Sequence, residues 1–151
     1  MKQILRATSF TLLMFACLLI ASSELFADDA VKKQALTAAK AWLMIIDKGQ
    51  YEKCWSESSE LIQKNVKQND WANAIQQARK PLGKVVNRAV KMSQYTTSLP
   101  GAPQGEYVVI QFQTTFKNRP SAIETVTMRA DSGSQEDEKQ KNWAGAGYYI
   151  Y

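Results

Sequence analysis

Arg88 makes the sharpest chemical demand in this sequence. Val86, Val90 and Met92 share its parity in a run that alternates as a strand does, with Val85, Ala89 and Tyr95 on the other side. If the three apolar residues face a core, strict alternation carries the Arg88 guanidinium inward with them. A buried guanidinium requires a carboxylate or a ligand anion beside it, and Glu106 or Glu124 would supply one. A bulge that turns Arg88 outward, or a purely structural ion pair, is the competing reading. Arg79, two residues before Pro81, poses the same question.

The wider inventory narrows the chemistry. The 151 residues contain no histidine, which removes His-based triads and the commonest general base and metal ligand. Ser134 follows Gly133 without the closing glycine of a nucleophile elbow, and no base accompanies it. Phosphate-loop, dinucleotide and metal-ligand spacings are absent, so no cofactor and no metal are expected, and catalysis would rest on carboxylates, tyrosines or lysines. The four tryptophans, Trp42, Trp55, Trp71 and Trp143, read as core residues, with ligand stacking the alternative.

Composition and charge set the class. Apolar residues make up 45% and charged residues 22%, the balance of a globular domain, and the length suits a single one. The formal charge is +5; Lys2, Arg6 and Glu24 belong to a leader, so the mature domain carries +4. Its basic residues are spread over several elements with no accompanying motif, which argues against nucleic acid as a partner.

The leader is residues 1–27. Lys2 and Arg6 precede an apolar stretch from Phe10 to Ala21, 12 residues long, which is the layout of a secretory signal and shorter than the roughly 18 to 20 residues of a bilayer-spanning helix. Cleavage is expected after Ala27, with Ser23 the alternative, and the product is exported, periplasmic or secreted. Cys17 lies within the apolar run, in bulkier surroundings than a lipid-modified cysteine has. Its removal leaves Cys54 alone in the mature chain, without an intrachain disulfide, as a buried small hydrophobe or else an intermolecular bridge or reactive thiol.

The elements that must position these side chains fall in a simple order over residues 28–151. An amphipathic helix runs from Asp28, with Val31, Ala35, Ala38, Ala39, Trp42, Leu43, Ile45 and Ile46 recurring at three- and four-residue steps, and stops at Gly49. Short helical pieces come next, around Tyr51–Trp55 and from Ser58 or Ser59 through Leu61, Ile62 and Val66, with the serine and Glu60 as cap chemistry. Asn69 or Asp70 caps a further helix presenting Trp71, Ile75 and Ala78, closed by Pro81 and Gly83. The period then changes to two. Strands run from Val85, from Glu106 to Phe116, from Ile123 to Ala130 and from Trp143 to Tyr151, with the turn Leu99–Gly105 between the first pair. Helices first and strands afterwards, with hairpin-length connections, predict an α+β domain: helices packed on one face of a four-stranded antiparallel sheet.

Several strings taken together resemble a known family. They are Ala41-Trp42-Leu43 with Asp47, Gly49-Gln50-Tyr51, Cys54-Trp55, Trp71, Arg79-Lys80-Pro81-Leu82-Gly83, the run from Tyr95 to Pro103, Gly105-Glu106-Tyr107-Val108-Val109, Glu124-Thr125-Val126-Thr127 and Gly147-Tyr148-Tyr149. The set resembles the DUF4019 family of small exported bacterial proteins. The resemblance implies an NTF2-like or cystatin-like cone, a curved sheet wrapped around helices, and implies no activity. The sequence departs from the pattern after Asp131-Ser132-Gly133, where an extra charged segment precedes Trp143. Folds of this cone type often keep a pocket between sheet and helices, and some relatives use a carboxylate there for proton transfer, for which Glu106, Glu124 and Asp47 are the nearest candidates. Three functional expectations result. The first is a non-catalytic binding or interaction module of the bacterial envelope, with Arg88, Glu106 and Glu124 as ligand-binding candidates and an unidentified protein or small molecule as partner. The second is a small isomerase or dehydratase using Glu106 or Glu124. The third is a homodimer paired through the sheet face bearing Val109, Gln111 and Gln113. The cavity between the first helix and the sheet is expected to be small and largely apolar, with Arg88 near its edge.

Overall fold

A computed structural model of the chain describes residues 28–131 and 141–151. The leader and the charged segment 132–140 lie outside the described residues. The chain divides into two compact units, 1–31 and 32–151. Of the first, only 28–31 are described, as a helical turn; the sheet and its core belong to the second.

Among the described residues four helices precede four strands. Helix α1 spans 28–47, followed by α2 (Tyr51–Ser56), α3 (Glu60–Asn65), α4 (Gln68–Arg79), β1 (Val85–Thr96), β2 (Tyr107–Phe116), β3 (Arg119–Asp131) and β4 (Asn142–Ile150). The strands form one antiparallel sheet in the order β1-β2-β3-β4, so the α+β class expected from the sequence is the class observed.

Local chemistry accounts for the helix ends, with two corrections. Gly49 adopts φ 72°, and the Gly49 and Gln50 amides donate to the carbonyls of Ile46 (2.9 Å) and Ile45 (3.1 Å), the paired bonds of a Schellman stop. Ser59 stands at the α3 N-cap without making a side-chain cap; instead Asp131, at the end of β3, accepts the Glu60 amide at 2.9 Å. Helix α4 starts before the expected caps: Lys67 is its N-cap, and Asn69 and Asp70 sit inside the first turn. Its buried face is Trp71, Ala72, Ile75 and Arg79, whereas Ala78 is exposed, so the buried stripe follows steps of four and includes the arginine.

The core lies between α1, α4 and one face of the sheet. That face carries Val108, Ile110, Phe112, Thr114 and Phe116 of β2, Ala122, Glu124, Val126 and Met128 of β3, and Trp143, Gly145 and Tyr148 of β4, all buried. Ala35, Ala39, Trp42, Leu43 and Ile46 of α1 close it from above. Trp42 packs edge-on to Tyr148 and tilted against Trp71, each ring centroid 6.1 Å away. Its indole lies over Gly145, where a Cβ would run into the ring, with Cζ2 only 2.6 Å away.

Strand β1 departs most from its expected pattern. Val85 pairs with Phe116 and Asn87 with Thr115, leaving Val86 as an extra residue; a second shift separates Val90 from Met92. These two bulges reset the parity. Val85, Arg88, Val90, Ser93 and Tyr95 stand opposite core-facing partners, whereas Val86 is 68% exposed and Met92 lies opposite the outward Gln111. Arg88 therefore faces inward, but not in the company of Val86 and Met92.

Candidate functional site

Two arginines and two carboxylates meet where the C-terminal ends of α1 and α4 come over the sheet. Asp47 is the last helical residue of α1 and Arg79 the last of α4; Arg88 comes from β1 and Glu124 from the middle of β3, opposite Phe112. Glu124 is 0% exposed. Its Oε2 accepts from Arg88 Nε at 2.6 Å and from Thr114 Oγ1 at 2.6 Å. Its Oε1 accepts from Arg79 Nη1 at 3.1 Å, Arg88 Nη2 at 3.1 Å and the Tyr148 hydroxyl at 2.5 Å. Arg88 turns its other edge to Asp47, donating from Nη1 and Nη2 at 2.7 and 3.0 Å, and Arg79 Nη2 adds a third bond to Asp47 at 2.7 Å. Arg79 also lies over the Phe116 ring, 4.8 Å from its centroid.

The cluster is formally neutral, and every charged member has an opposite charge in hydrogen-bonding contact, which is what makes its burial tolerable. Partial burial works against the charged form of Asp47, but the Arg88 and Arg79 guanidiniums outweigh it and hold the carboxyl below its ordinary range. Burial likewise opposes the charge of Arg88, and the two carboxylates overcome that to raise it above its usual value. Tyr148 is pushed up by burial and by the neighbouring Glu124 carboxylate, so it remains a phenol that donates. Five donors therefore saturate Glu124, and its hydroxyl neighbours hold their protons. The arrangement fixes two helix ends to the sheet; its two guanidiniums and two carboxylates are committed to one another, with Glu124 occluded and Asp47 at the exposed edge.

The three sequence candidates separate. Arg88 and Glu124 are brought into contact. Glu106 precedes β2 at the opposite end, six residues from Phe112, or about 20 Å along the strand. There it accepts from the Tyr95 hydroxyl at 2.8 Å and from Lys141. Partial burial would raise its carboxyl, but Lys141 and Tyr95 hold it below the usual range. Asp47, Thr114 and Tyr148 join the site although Asp47 alone was a candidate, and then for proton transfer. Thr114 had a signal, being the one polar residue at an inward position of β2; Tyr148 had none, because the Ala146 bulge sets its face.

The groove between α1 and the sheet, about 480 Å³, lies away from this cluster. Ala38, Ala41 and Trp42 form one wall and Trp143, Ala144 and Gly145 the other, with Glu57, Glu60 and Asp131 at the rim. It is thus larger and more polar than the small apolar cavity expected, and Arg88 is not in its walls. All three rim carboxylates are engaged: Glu57 with Lys53 at 3.6 Å, Glu60 with Lys64 at 2.6 Å, and Asp131 with Arg129 at 3.0 Å and with the Glu60 amide. A second groove, about 690 Å³, opens between Leu61 and Ile62 of α3, the Leu99–Pro103 turn, and Tyr107, Thr127 and Tyr149. The rest of that outward face, with Gln111, Gln113 and Thr125, is polar.

Cys54 is buried and unbridged, its thiol pushed up to about 12 by burial. Among the described residues no group of three or more acidic or cysteine side chains is placed to hold a metal, and no helix is long and apolar enough to cross a membrane. The protein-family model described as "Protein of unknown function (DUF4019)" matches residues 38–148. No curated protein and no solved structure matches the chain.

Proposed function

The chain belongs to the DUF4019 family, and from that premise we propose that it is a non-catalytic interaction domain of the bacterial cell envelope, exported behind the leader 1–27 and acting through its surface. The observation that carries this reading is the state of Glu124: it is the carboxylate that faces the core, and it is occluded and saturated by five donors. A proton-transfer enzyme of this architecture needs an open, poorly paired carboxylate with a raised pKa. Glu106 and Asp47 are shifted the other way. The NTF2-like or cystatin-like cone belongs to the same reading, and its interior is filled here by Trp42, Trp71, Phe112 and Phe116.

Contacts are then expected on the outward groove beside Tyr149, a tyrosine 71% exposed. The test is photo-crosslinking in cells, with a benzophenone amino acid at Tyr149 and, as control, at Lys53, together with mass determination of the mature chain. A discrete adduct from Tyr149, absent from Lys53, on a chain beginning at Asp28 or Glu24, is the expected result. An adduct of twice the chain's mass would give the homodimer in place of a separate partner. A chain that keeps its leader in the cytoplasm, or no adduct, would overturn the reading.

A further inference from the structure

Folding gathers cations that the sequence scatters. Lys80 is the C-cap of α4, Lys84 precedes β1, and Lys117 and Arg119 flank the β2–β3 turn, more than 30 positions downstream. Backbone bonds clamp that turn onto the α4–β1 connection. The Lys117 amide donates to the Lys84 carbonyl at 2.8 Å and the Asn118 amide to the Leu82 carbonyl at 2.9 Å, while Asn118 Nδ2 donates to the Pro81 carbonyl at 3.1 Å. Gly83, at φ 74°, permits the close approach: a Cβ there would be strained and would press on Asn118 at 3.2 Å and on Lys117 at 3.3 Å. The four cations thus stand on a fixed backbone, all exposed.

None of the four forms an ion pair among the described residues. Asp47 and Glu124, which meet the last residue of α4, are committed to Arg79 and Arg88. Glu57, Glu60, Glu106 and Asp131 instead engage Lys53, Lys64, Lys141 and Arg129 on other elements. One cation is explained by the fold, since Lys80 complements the negative end of the α4 dipole. Lys84, Lys117 and Arg119 lie outside any helix and have no such account. Beside them the first β1 bulge pushes Val86 outward, 68% exposed, two residues from Lys84.

We propose that this basic end docks the domain on an anionic lipid surface, Lys80, Lys84, Lys117 and Arg119 meeting headgroup phosphates while Val86 enters the headgroup layer. Neither of the two grooves described above reaches these residues, which suits contact with an extended surface and not a strand threaded along either of them. An apolar side chain among the cations adds a contact that lipid rewards and a phosphate backbone does not. The proposal uses other residues than the interaction face described above and stands or falls separately from it.

The test is co-sedimentation of the mature chain, after removal of the leader, with phosphatidylglycerol–phosphatidylethanolamine vesicles and with phosphatidylcholine vesicles at low salt. Binding is expected to the anionic vesicles only, weakened about fivefold by Lys84→Gln and restored by Lys84→Arg. It is expected to vanish in the variant K80Q/K84Q/K117Q/R119Q and to persist in K53Q/K64Q, which loses charge elsewhere. Salt near 0.5 M should release it, because the Debye length then falls to roughly 4 Å. The four positions are exposed, so an unchanged near-ultraviolet spectrum verifies the fold of the quadruple variant. No vesicle binding, equal binding to neutral vesicles, equal binding by the quadruple variant, or retention by duplex DNA or an acidic peptide in the absence of vesicle binding would each overturn the proposal.

Discussion

Gly145 and Glu124 each set a narrow condition on the interior. At Gly145 a methyl would have to occupy space held by the Trp42 ring, whose Cζ2 is 2.6 Å away, whereas at Gly147 the nearest atom is 3.5 Å away, an ordinary contact. Gly145→Ala should therefore destabilise the domain by about 1–3 kcal/mol, the usual cost of overpacking, while Gly147→Ala should stay within about 1 kcal/mol of the parent. Urea unfolding followed by tryptophan fluorescence distinguishes the two, and equal losses would refute the steric account. Glu124→Leu leaves two guanidiniums facing a single Asp47 and should cost about 3–5 kcal/mol. Replacing both members of one contact, R88M/E124L, leaves the Arg79–Asp47 pair intact and should cost less than Glu124→Leu alone. A double variant less stable than the single would mean that the cluster is additive, contrary to the neutrality argued for it.

At the scale of elements, legibility followed locality. The stop of α1 at Gly49 and the end of α4 at Pro81–Gly83 were readable because the signal and the structure occupy the same few residues. The alternation of β2 was readable for the same reason, and its inward set is the observed one with Thr114 added. Strand β1 departs from strict alternation because its two bulges arise from pairing with β2, which no window on β1 contains. The α3 cap was misassigned for a related reason: its acceptor, Asp131, lies 71 positions away from Glu60. Of the site, Arg88 and Glu124 were legible as a pair through charge demand alone, while their joining to Asp47 and Arg79 depends on two helix ends meeting over the sheet. The cap is testable as an element property. Asp131→Ala should loosen the start of α3, with a loss of about 1 kcal/mol and faster exchange of the Glu60 amide; unchanged exchange would assign the Asp131 contact no role in α3.

The whole molecule should show a stability plateau bounded on both sides. Asp47 and Glu106 have folded pKa values below their ordinary ones, so each stabilises above its unfolded pKa, and the contribution is lost as pH falls through the folded value. The acid limb should thus begin near pH 4.5 and fade in D47N and E106Q. Cys54 is shifted upward, from 9.0 to about 12. Its contribution is complete below pH 9 and declines as pH rises toward 12, with Tyr148 adding a further loss above pH 10. Cys54→Ala should flatten the alkaline limb, read as midpoint temperature against pH, and the native thiol should resist alkylation at about pH 8. Fast alkylation of the folded chain would contradict its burial.

Trp42 and Trp71, with centroids 6.1 Å apart and planes at 51°, have an optical consequence. Two indoles at that separation and tilt couple their electronic transitions, so the far-ultraviolet dichroism of the native domain should contain an exciton couplet superimposed on the helical bands. The amplitude of that couplet measures tertiary packing and would bias any helix content read from the same spectrum. It should collapse in Trp71→Phe and shrink in Gly145→Ala, giving the interior an intrinsic reporter that requires no added label.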